Sequence, residues 1–65
     1  MNPGWLERVN AVLDRFAGMP LGPERSAAIE RVARDELAAA TTEDDRAFWS
    51  EFLARRARAK EEGQP

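Results

Sequence analysis

At 65 residues the chain has room for one domain, and it contains no histidine, cysteine or tyrosine. That removes the commonest general base, the commonest metal ligand and every thiolate or disulfide at once. Charged residues make up 34% of the sequence, interspersed in sign to a net charge of −2, which describes a solvated surface and not a polybasic tail drawn to nucleic acid or anionic lipid.

The first helix is expected near residues 3–17. Asn2 is its candidate N-cap, with Pro3 at the first helical position, where a missing N–H costs nothing. Trp5, Leu6, Val9, Val12, Leu13 and Phe16 recur in steps of three and four and form one apolar stripe, and Glu7, Arg8, Asp14 and Arg15 take the wet side. Gly18 stands where a left-handed residue would end the helix, and Pro20 prevents its continuation.

After a connector, Met19 to Gly22, Pro23 opens a second helix expected near residues 23–40, with Glu24 at its positive end. Ile29, Val32, Ala33, Leu37 and Ala40 form its stripe, and its many alanines would let a neighbouring helix approach closely. A third helix is expected near residues 43–60. Thr42 with Asp45 imitates a capping box, Thr41 with Asp44 is the competing register, and Glu43, Asp44 and Asp45 complement the helix dipole. Phe48, Trp49, Phe52 and Leu53 form its aromatic stripe, while Arg55, Arg56, Arg58 and Lys60 crowd its negative end.

The expected fold is therefore all-α, a small three-helix bundle over residues 1–62, with 63–65 as a disordered tail. No apolar run approaches the roughly 20 residues that a membrane helix needs. The first residues, Met1 to Trp5, lack a cationic segment followed by an apolar one, so no signal peptide is expected. With the absence of cysteine, this makes a cytoplasmic location the expectation.

Catalysis is not expected. Ser26 and Ser50 lack a histidine base, and no nucleophile, base and oxyanion donor converge. No metal or cofactor is expected either. Glu43, Asp44 and Asp45 lack the alternating spacing and the glycine of a calcium loop, and consecutive helical residues diverge. The basic patch of Arg55, Arg56, Arg58 and Lys60, with Trp49 nearby, supports an alternative reading as a small nucleic-acid-associated regulator. Against it, a recognition helix in the third position would present Glu43, Asp44 and Asp45 to phosphates.

Interaction with protein is the preferred reading. Without disulfide or metal, so short a chain gains little from apolar burial once about 1.5 kcal/mol of entropy per ordered residue is subtracted. A second copy or a larger partner would add to it. Trp5, Trp49, Phe52, Met19 and Leu21 are the candidate interface, because tryptophan is enriched at interface hot spots. The expected state is a homodimer with Trp49 or Trp5 near the contact and the second helix packed closely on its mate.

Two short stretches resemble known families. Ala17-Gly18-Met19-Pro20-Leu21-Gly22-Pro23-Glu24-Arg25 resembles the helix junction of small helical subunits that accompany bacterial amidases. Ile29-Glu30-Arg31-Val32-Ala33-Arg34 resembles a segment of the small domain at the end of light-independent protochlorophyllide reductase subunits, although that domain's surrounding aromatic and proline positions do not match. Each covers a fraction of the chain, and either implies an accessory chain without an active site of its own.

Overall fold

A computed structural model describes residues 3–63. Met1, Asn2, the expected N-cap, and Gln64 and Pro65 of the expected tail lie outside the described residues. Three helices follow one another: α1 (Pro3–Asp14), α2 (Pro23–Ala39) and α3 (Glu43–Glu62). No strand occurs among the described residues, so the fold class is all-α and three-helical as the sequence predicts.

α1 is shorter than its apolar period suggests. The amides of Arg15, Phe16 and Ala17 donate to the carbonyls of Val12, Leu13 and Asp14, at 3.2, 3.0 and 3.2 Å. These bonds reach back three residues instead of four, so the last turn tightens and the α-helix ends at Asp14. The expectation of a left-handed Gly18 is corrected here. The tightened turns already satisfy the terminal carbonyls, and the glycine with positive φ is Gly22, at 154°.

Gly22 instead sets the start of α2. Its carbonyl accepts the amide of Ser26 at 3.1 Å, which makes it the N-cap residue, and Pro23 follows at the first helical position with Glu24 in the first turn. α3 begins in the favoured register. Thr42 is extended, with φ −115° and ψ 156°, and its Oγ1 accepts the Asp45 amide at 3.1 Å. At the other end the Gly63 amide donates to the Ala59 carbonyl at 2.9 Å while Gly63 itself stays right-handed, so α3 closes without a chain reversal.

The chain divides into two compact units at the Val32–Ala33 bond, inside α2. In the first, Val12 and Ile29 are buried, and Trp5, Val9, Leu13, Phe16 and Val32 are half-buried. In the second, Ala33, Phe48, Trp49 and Phe52 are buried, with Leu37 and Leu53 half-buried. No polar or charged residue is buried among the described residues.

Two large apolar residues stand in solvent, Leu6 of the α1 stripe and Leu21 of the candidate interface. Leu6 is 55% exposed because it lies at the edge of the α1 stripe, about 100° round from Trp5 at 3.6 residues per turn. Leu21 is 87% exposed because the connector offers no helical face to turn it inward. Of the α2 alanines, Ala33 is fully buried, whereas Ala27, Ala38 and Ala39 are exposed.

Candidate functional site

The α3 aromatics are spaced one, three and four residues apart, so their rings meet on one face. Phe48 and Trp49 lie edge to face, with centroids 4.9 Å apart and planes at 77°. Trp49 and Phe52 do the same at 5.7 Å and 79°, and Phe48 stacks on Phe52 at 5.9 Å and 28°. These are the offset and T-shaped arrangements that the ring quadrupole favours. Trp49 is 6% exposed and Phe52 4%. Trp49 and Phe52, both interface candidates, are thus buried within the single chain, where their rings pack on one another.

The basic end of α3 is divided by a carboxylate. Arg55 Nε donates to Glu51 Oε2 at 2.8 Å, and Arg58 Nη2 approaches the same oxygen at 3.3 Å. The Arg55 hydrogen bond, aided by the positive charge of both guanidiniums, holds the Glu51 carboxyl below its ordinary range. Arg56, half-buried, has its guanidinium carbon 5.9 Å from the Phe52 ring centroid. Lys60 is exposed in the last turn. The four cations thus do not form one uniform patch. Glu51 was missed as their organiser, although an acid four residues before a base is a legible helix signal.

The connector between α1 and α2 holds the remaining candidates. Met19 is half-buried and Leu21 faces solvent. Arg25, on the first turn of α2, donates from Nη1 to the Met19 carbonyl at 3.3 Å. Met19, Pro20, Leu21, Gly22, Pro23 and Glu24 line a recess of about 220 Å³. The brace from Arg25 has no counterpart in any spacing rule and could not be read from the sequence. Trp5, also offered as an interface residue, is half-buried in α1.

The residues considered for chemistry fall on α2 and α3. Ser26 is half-buried near the start of α2, and Ser50 is exposed in mid-α3. Glu43, Asp44 and Asp45 occupy the first turn of α3, where the positive end of the helix dipole meets them. Among the described residues no group of three or more histidine, cysteine, aspartate or glutamate side chains is placed to hold a metal ion. Within the same residues, no helix is long and apolar enough to cross a membrane.

No protein-family model, curated protein or solved structure matches the chain. Neither short resemblance in the sequence extends to a family assignment.

Proposed function

We propose that this chain is a non-enzymatic interaction or accessory module that acts by contact with another protein surface, a second copy of itself in the first instance. The observation that carries the reading is Leu21. A single exposed leucine is ordinary on a protein surface. Leu21 differs in being held on a connector flanked by Pro20 and Pro23 and tied to α2 through the Arg25–Met19 hydrogen bond. A side chain presented on a restrained backbone loses less freedom on docking, and that saving adds directly to affinity. The thin core supports the same reading, since apolar area buried between chains adds about 25 cal/mol per Å² to a domain with little margin.

The alternative, a nucleic-acid-associated regulator working from Arg55, Arg56, Arg58 and Lys60, is disfavoured by two features. Trp49 is buried, and Arg55 and Arg58 both face Glu51. Such a regulator would show binding to nucleic acid that weakens steeply with salt.

Sedimentation equilibrium on the full chain tests the preferred reading. Self-association at micromolar concentration, with a melting temperature that rises with protein concentration, is the expected result. The variant Leu21→Ser should remain helical and become monomeric. A monomer up to millimolar concentration with a concentration-independent melt would overturn self-association.

A further inference from the structure

We draw no further inference here: the strongest candidate, the solvent-facing Leu21 with the recess of the α1–α2 connector, is an apolar surface already used in the proposed function, and nothing in the structure shows what covers it.

Discussion

Arg25 reaches back from the first turn of α2 to donate a hydrogen bond to the carbonyl of Met19, six residues earlier. The bond spans the whole connector, so a helical side chain fixes the path of a segment that has no regular structure of its own. Replacing Arg25 with alanine removes the donor and leaves the carbonyl to water. A hydrogen bond of this kind contributes about 0.5–1.5 kcal/mol net, and the part-buried setting keeps it in that range. Arg25→Ala should therefore lower stability by that amount in a denaturant titration while leaving helical content unchanged. Hydrogen exchange at the Met19, Leu21 and Gly22 amides should quicken with it. An unaltered exchange pattern would show that the prolines alone hold the connector.

Gly18 and Gly22, both between α1 and α2, should respond differently to alanine. Gly22 has φ of 154°, and although no atom lies within 4 Å of a Cβ built there, the backbone conformation itself disfavours a side chain. Gly22→Ala should cost on the order of 1–3 kcal/mol. Gly18 also has open space around its Cβ position, but it lacks a positive φ. Gly18→Ala should be neutral or stabilise by about 0.4–1 kcal/mol, because it restricts the unfolded chain without straining the folded one. Thermal melts of the two variants against the parent decide this. A stabilising Gly22→Ala would mean that the chain start of α2 differs from the one described.

This pair also marks how far the sequence could be read. The starts of α2 and α3 were legible because Pro23 and Thr42 act through their own side chains on the nearest backbone, which is local chemistry. The end of α1 was not. Nothing in the identities of Arg15, Phe16 and Ala17 says that their amides would reach back three residues in place of four. The aromatic stripe of α3 was legible from its spacing, yet its burial depends on the rest of the chain, so Trp49 and Phe52 read equally well as core or interface. Leu21, a candidate interface residue, could not be placed in solvent from sequence for the complementary reason. An apolar residue between Pro20 and Gly22 carries no periodicity, and only the three-dimensional path of the connector shows it facing solvent.

Phe52 and Leu53 are neighbours on the α3 stripe, but the structure separates them: Phe52 is buried among Phe48 and Trp49, and Leu53 is half-buried. Truncating Phe52 removes two ring contacts and leaves a cavity, at a cost of about 3–5 kcal/mol. A domain of this size has little stability beyond that, so Phe52→Ala should be largely unfolded at room temperature. Leu53→Ala should lose less and remain folded. Circular dichroism of the two variants checks the ordering; equal losses would mean that Leu53 is as enclosed as Phe52.

The Glu51 cluster predicts a dependence on pH and salt. Its folded-state carboxyl titrates below the ordinary value of 4.5, chiefly because Arg55 donates a hydrogen bond to the charged form. A group whose folded value is depressed stabilises the fold above its unfolded value and loses that contribution as pH falls through the folded one. The pair is solvent-exposed, so the contribution is small and screened by salt. Glu51→Gln should therefore melt slightly below the parent at neutral pH and low salt, and the difference should shrink both in acid and at about 1 M salt, where the screening length falls to about 3 Å. Arg55→Gln should reproduce most of the effect and Arg58→Gln less, since the Arg55 contact is 2.8 Å and the Arg58 contact 3.3 Å. A gap between parent and Glu51→Gln that survives both acid and high salt would show that Glu51 acts through packing or helix propensity, and that its two arginines are neighbours without being partners.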